Sequence, residues 1–257
     1  MARADLNCDM GESYGAWTIG NDAAVLPHVT SINVACGFHG GDPSVMRATV
    51  HAAVTHHVAI GAHPGLPDLI GFGRREMAVS PQEVYDLVVY QVGALQAVAR
   101  AAGTTIRHVK PHGALYNMAA VRRELADEIA QAVFDVDSTL VLVGLSGSAL
   151  ILAGKSRGLS TAREVFADRN YRADGTLVPR SSPGAMISDV QTAASRAVRM
   201  VQHGRVIAID GTDIAVDADT ICIHGDAVGA AAFAQRIRTA LQAAGISVLP
   251  HGAAAHP

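Results

Sequence analysis

The chain has 257 residues, 49% of them hydrophobic, 17% charged and 4% aromatic, with a net charge of −3. That is enough apolar side chain for a large α/β core and too little charge for disorder. The mild negative balance leaves no electrostatic footprint for nucleic acid, and no run approaches the roughly 18 apolar residues of a membrane span. The first residues carry Arg3 and Asp5 and no apolar signal-peptide core. Cys8, Cys36 and Cys222 are too dispersed for a disulfide framework or a CxxC metal site. A cytoplasmic protein with reduced, structural cysteines is expected.

Short apolar runs alternate with longer helical stretches. Strands are expected at residues 4–8, 31–36, 58–62, 106–109, 140–144, 159–165 and 219–224, and helices at 42–57, 80–102, 119–133, 146–157, 188–202 and 227–244. Asp42 is placed to cap the first helix, with Pro43 in its first turn. Ser80 and Glu83 have the spacing of a capping box, and Gly103 closes that helix. The regular βα alternation predicts parallel strands with right-handed crossovers in a single domain over 1–257. Asp210-Gly211 marks a β-hairpin insertion near 206–216. Residues 167–186 form a long polar loop of the kind that is functional or mobile. With no Rossmann glycine signature, the pattern favours a closed or nearly closed barrel, an open doubly wound sheet being the alternative. Either places ligands at the carboxyl ends of the strands.

Reactive side chains collect at those ends. The stretch 106–117 is the clearest case: Pro111 stops the strand, leaving Lys110 and His112 at its end, with Asn117 beyond. The first strand leads to Asn7, Asp9 and Glu12, the second to His39 and Asp42, and the third to His63. The sixth leads to Glu164, Asp168, Arg169 and, later, Arg180, and the seventh to His224 and Asp226. Each has an ordinary explanation. A single histidine after a strand is commonly a hydrogen-bonded loop residue, Asp9 could cap a turn, and Lys110 could pair with Asp9 or Glu164 as an ordinary ion pair. Their joint occurrence on several strands favours an active site at one mouth. His108 and the remaining histidines are read as structural. The stretch 147–156 misses a phosphate loop, because GxxxxGK[ST] needs glycine where Ala149 stands, so no nucleotide-binding loop is recognised.

Six ordered motifs carry a family likeness: DLNCDMGESYG (5–15), INVACGFHGGDP (32–43), GAHPGLPDLIGFGRR (61–75), HVKPHGALYN (108–117), EVFADRNY (164–171) and CIHGD (222–226). Together they resemble the LamB/YcsF family, the A subunits of 5-oxoprolinase, across residues 3–248. One departure lies at HGDAVGA, where the family often has a hydroxyl-bearing residue after the aspartate. The resemblance implies an irregular (β/α)7 TIM-like barrel of the glycoside hydrolase/deacetylase type. It also implies ATP-dependent opening of the 5-oxoproline (pyroglutamate) lactam to L-glutamate, together with subunits B and C. Because this chain lacks a recognisable ATP loop, the nucleotide is expected to be bound by or shared with the partner subunits.

On that footing Asp9, held by Asn7 and neighbouring histidines, is the candidate general base, and His39, His63 or His224 could orient it or protonate the leaving nitrogen. Lys110 and His112 would stabilise developing negative charge, so Lys110→Ala is expected to stop turnover and leave the fold intact. Arg169 and Arg180 would clamp the substrate carboxylate; Asn117, Glu164, Asp168 and Asp226 complete the candidate binding set. A second reading is a stand-alone metal-dependent amidohydrolase or deacetylase with Asp9, His39 and His63 as ligands. A third is a binding subunit that holds 5-oxoproline for its partners. The sequence leaves a divalent metal and self-association open.

Overall fold

The structure, a computed structural model, describes residues 2–223 and 229–251. His224 and Asp226 therefore lie outside the described residues. In chain order the elements are β1 (Arg3–Met10), α1 (Asp22–Val25), β2 (Ser31–Ala35), α2 (Pro43–Thr55), β3 (Ala59–His63), α3 (Pro81–Ala101), β4 (His108–Val109), α4 (Gly113–Val121) and α5 (Arg123–Asp137). There follow β5 (Val141–Leu145), α6 (Ala149–Arg157), β6 (Thr161–Phe166), α7 (Val190–His203), β7 (Arg205–Ile207), β8 (Asp213–Ala215), β9 (Thr220–Ile223), α8 (Ala230–Ala243) and β10 (Ser247–Val248).

Seven parallel strands close into a barrel in the order β1-β2-β3-β4-β5-β6-β9, with β9 pairing back onto β1. The short β10 adds beside the start of β1. The fold is the irregular (β/α)7 barrel expected. Strand alternation explains its construction. Leu6, Cys8 and Met10 of β1, Ile32 and Val34 of β2 and Ile60 of β3 belong to the apolar core. So do Val84, Val88, Val92 and Leu95 of α3 and Leu125, Ile129 and Val133 of α5. Burying each large side chain contributes roughly 1.5–3 kcal/mol, and this strand–helix layer drives closure. The alternate residues Asp5, Asn7 and Asp9 share the opposite face of β1 and fill the barrel interior. That interior is therefore polar.

Both expected caps are present. Asp42 accepts hydrogen bonds from the Ser44 and Val45 amides, which makes it a helix cap and not part of the site. Ser80 and Glu83 form the capping box. The differences lie elsewhere. β1 runs on to Met10, so Asp9 stands within the strand. β4 is reduced to His108–Val109, and the helix expected at 119–133 is two helices divided at Arg122, whose backbone is extended. No glycine or proline marks that break. Close packing beneath the site depends on Gly61: a Cβ there would run into the His108 imidazole.

β7 and β8 pair as an antiparallel hairpin. It braces the β6–α7 segment: the Ile209 amide donates to the Tyr171 carbonyl, and Arg196 donates to the carbonyls of both Ile207 and Arg169. Among the described residues no helix is long and apolar enough to cross a membrane.

Candidate active site

The barrel interior holds one continuous hydrogen-bonded network. At its base the Asp5 carboxylate accepts from the hydroxyls of Thr30 (2.6 Å), Ser31 (2.7 Å) and Thr220 (2.6 Å). One step up, the Asn7 amide donates to Glu164 Oε1 (3.0 Å) and Thr220 Oγ1 (2.7 Å). Asn33 donates to Asn7 Oδ1 and Asp9 Oδ1, both at 2.8 Å. Its own oxygen lies 2.8 Å from His108 Nε2, which must then carry a proton and donate. The successive polar positions on β1 are thus wired together.

Lys110 reaches into this network from the end of β4. Its ammonium lies 3.0 Å from Asp9 Oδ1, 2.8 Å from Glu164 Oε1, 3.2 Å from Asn7 Oδ1 and 3.1 Å from Cys222 Sγ. Burial opposes its charge, but Asp9, Cys222 and Glu164 together hold its pKa well above the usual lysine range. Burial, followed by the Lys110 charge, pushes His108 down to about 3. Lys110 is thus a buried ammonium holding two carboxylates, and the ion pair weighed in the sequence as its ordinary explanation is present with both Asp9 and Glu164. Breaking such a pair is strongly destabilising, so the expectation that Lys110→Ala spares the fold is replaced.

Beside Asp9 stands a cluster of imidazoles. His63 Nε2 is 3.2 Å from Asp9 Oδ2, and His63 Nδ1 is 2.7 Å from the Lys110 carbonyl. His112 Nε2 is 2.8 Å from the Phe72 carbonyl, and its Nδ1 is 3.0 Å from His63 Nε2. His39 stacks on His112 with ring centroids 3.6 Å apart. Burial, reinforced by neighbouring histidines, lowers both His39 and His112 well below the ordinary histidine range. Glu12 Oε1 closes the group, 3.4 Å from His39 Nε2 and 3.5 Å from His112 Nδ1. Phe72 supplies its carbonyl from a positive φ of 55°, a conformation unfavourable for a bulky residue by roughly 1–2 kcal/mol. The bonds from Asp68 to Arg75 and to the Gly71 amide brace that turn.

Above this floor opens a pocket of about 620 Å³. Asp9, His63, Lys110 and His112 form its polar base, Asn117 lies on its rim, and Arg169 and Arg180 lie on the side contributed by the β6–α7 segment. Arg169 is buried, donates to the Val178 carbonyl at 2.6 Å, and has its pKa lowered to about 10 by burial and then by Arg180. Arg74 and Arg172 also face the pocket. Asn7 and Glu164 sit in the interior as supports of Lys110 and Asp9, and His39 lies behind His112 against Glu12. Asp168 is buried at the start of the β6–α7 segment, where its carbonyl accepts from the Ile187 amide.

Asn33, Phe72, Arg74 and Arg172 were not singled out in the sequence. Asn33 carried a usable signal: it is polar, within an apolar strand, in phase with inward-facing neighbours. Phe72 acts through its backbone and carried none. Glu12 was noted at a strand end, and the fold sets it against buried histidines.

Fold and site define a parallel βα barrel with an acid–base cluster at the carboxyl ends of its strands. The chain belongs to the LamB/YcsF family, whose profile matches residues 4–256. It is 60% identical to the A subunit of 5-oxoprolinase from Brevibacillus brevis, over 96% of this chain and 98% of that protein. It is 63% identical to the corresponding 5-oxoprolinase polypeptide of Bordetella pertussis, over 95% and 97%. The crystal structure of the lactam utilization protein from Thermus thermophilus superposes with a TM-score of 0.90 at 51% identity, covering 96% of this chain and 99% of that one. A carbohydrate esterase family 4 pseudoenzyme from Bacillus anthracis shares the fold alone, with a TM-score of 0.50 at 13% identity over 96% of this chain and 63% of that one.

Proposed function

We propose that this chain is the lactam-opening component of a cytoplasmic, ATP-dependent 5-oxoprolinase, converting 5-oxoproline to L-glutamate together with subunits B and C. The observation that carries the reading is Asp9, held by Lys110 and Asn33 in the base of an arginine-flanked pocket, in a chain 60% identical to a protein named as a 5-oxoprolinase component. A five-membered lactam is a resonance-stabilised amide with a poor leaving nitrogen. Phosphorylation of its carbonyl oxygen by ATP makes the ring carbon electrophilic. The sequence carries no recognisable phosphate-loop motif, which supports a partner as the site of that step.

Water then adds to the activated carbon as Asp9 accepts its proton. Asp9 returns the proton to the ring nitrogen as the C–N bond breaks, leaving an acyl phosphate that a second water converts to glutamate and phosphate. The Lys110 ammonium and the Asn33 amide, both on Oδ1, orient Asp9 for that exchange. Arg169 and Arg180 hold the substrate carboxylate, with a guanidinium matching its two oxygens. The assay is glutamate formation from 5-oxoproline and ATP with this chain alone, with subunits B and C, and with B and C only. Turnover in the full set alone is expected. ATP-independent hydrolysis by this chain alone would instead identify a stand-alone amidohydrolase, and equal rates from B and C only would remove it from the reaction.

A further inference from the structure

We propose that Glu12, His39, His63 and His112 bind one divalent transition-metal ion of the zinc class, immediately beside Asp9. Proton positions are the first reason. A backbone carbonyl can only accept, so His63 Nδ1 carries a proton toward the Lys110 carbonyl and His112 Nε2 carries one toward the Phe72 carbonyl. That leaves His63 Nε2 and His112 Nδ1 as the ring nitrogens open to a metal, and they face each other at 3.0 Å. A Glu12 carboxylate oxygen and the Asp9 carboxylate approach the same spot, at 3.5 Å from His112 Nδ1 and 3.2 Å from His63 Nε2 respectively. Nitrogens and carboxylate oxygens converging in this way form a ready set of donors for a metal cation.

A second observation points the same way. His39 is fully buried, and neither of its ring nitrogens makes a hydrogen bond. An imidazole held dry and without a hydrogen-bond partner is unfavourable as plain packing. Its Nε2 faces Glu12 at 3.4 Å, and one ligand atom from each of the four residues lies within 4.8 Å of every other. Ligands about 2.0–2.1 Å from a tetrahedral zinc are roughly 3.3 Å from one another, close to the 3.0, 3.4 and 3.5 Å seen here. Three imidazoles and one carboxylate suit zinc, cobalt or nickel better than magnesium or calcium. The carbonyl partners of His63 and His112 are the outer hydrogen bonds that orient ligating histidines.

The geometry also makes a demand. The His39 and His112 rings are parallel to within 1°, and one ion cannot lie in both planes, so binding tilts one ring. The ligand set differs from the Asp9–His39–His63 triad read in the sequence: Asp9 turns one oxygen to Lys110 and Asn33, and Glu12 and His112 take part in its stead. The inference stands apart from the lactam chemistry, and its readout is binding.

The test uses the full-length chain without a histidine tag, stripped with a chelator and titrated with Co²⁺ and then Zn²⁺. One equivalent of cobalt with visible ligand-field bands, displaced by one zinc, is expected. Glu12→Gln and His112→Gln should weaken binding at least about tenfold, and His57→Ala on the surface should leave it unchanged. In ¹⁵N-histidine spectra zinc should shift His63 Nε2 and His112 Nδ1, with the opposite nitrogens still protonated; this readout serves even if a variant fails to fold. No stoichiometric cobalt binding, or unshifted His63 and His112 nitrogens, would overturn the proposal and point to a proton shared between the two rings.

Discussion

Asp5 and Asp9 lie on the same face of β1, four residues apart, yet they are held in opposite ways. Asp5 is surrounded by three neutral hydroxyls at 2.6–2.7 Å and is sealed from solvent. Asp9 is held by an ammonium and an amide on one oxygen and turns the other toward a histidine, with 12% of its side chain exposed to the mouth. The first arrangement satisfies a carboxylate completely and leaves it nothing further to do. The second leaves a carboxylate paired to an ammonium and open to the mouth. The barrel therefore grades from a sealed polar base to a reactive rim along the inward-facing side of a single strand.

Asp9→Asn is the sharpest way to break the contrast. It keeps the shape and removes the base, so turnover in the reconstituted complex should fall about 10²–10⁴-fold. Urea unfolding should show a folded protein; retained turnover would end the assignment of Asp9. Lys110→Met comes next and strikes both ends of the network, because it leaves buried Glu164 and partly buried Asp9 without their ammonium. A loss of about 3–5 kcal/mol of stability is expected, together with loss of turnover. If the urea midpoint stayed put, the ion-pair network would be incidental.

These two variants also mark how far the sequence could be read. The barrel was legible because alternating apolar and helical runs specify parallel βα units, and strand-end positions identified Asp9, His63, Lys110 and His112 without coordinates. What stayed hidden depended on partners distant in the chain. The sequence offered Asp9 or Glu164 as a partner of Lys110, but nothing near Lys110 announces that it meets both at once and Cys222 besides. The phase of Asn33 in its strand was readable, but its partners Asn7 and Asp9 came only with the register of β1 and β2. Phe72 contributes a carbonyl through a positive φ, which no side-chain motif encodes. The split between α4 and α5 was invisible for a related reason: Arg122 adopts an extended backbone without glycine or proline to signal it.

Smaller effects test the sealed base. Asp5→Asn replaces an acceptor of three hydroxyl donors with an amide that must itself donate, at a cost of about 1–3 kcal/mol in stability. Turnover per folded molecule should be preserved, since Asp5 is separated from the mouth by the Asn7 layer. A fall in turnover comparable to that of Asp9→Asn would show that the two carboxylates act as one unit and erase the contrast.

The most gradual effect concerns His108, midway up the interior. Its pKa is depressed to about 3 by burial and then by Lys110, against roughly 6.5 in an unfolded chain. Between those values the unfolded state takes up a proton that the folded state refuses. Stability from this residue must therefore fall as pH drops, by about 1.4 kcal/mol per pH unit across that window. His39 and His112 add slopes of the same sign, so the wild-type slope alone cannot isolate His108. His108→Gln can, because its amide is able to donate to Asn33 Oδ1 and does not titrate. Urea midpoints measured from about pH 6 to about pH 4 should show the variant losing stability less steeply than wild type, by close to one proton per molecule. Equal slopes would mean that His108 is protonated in the folded barrel, and the network linking Asp5 to Asp9 would then need a different proton count.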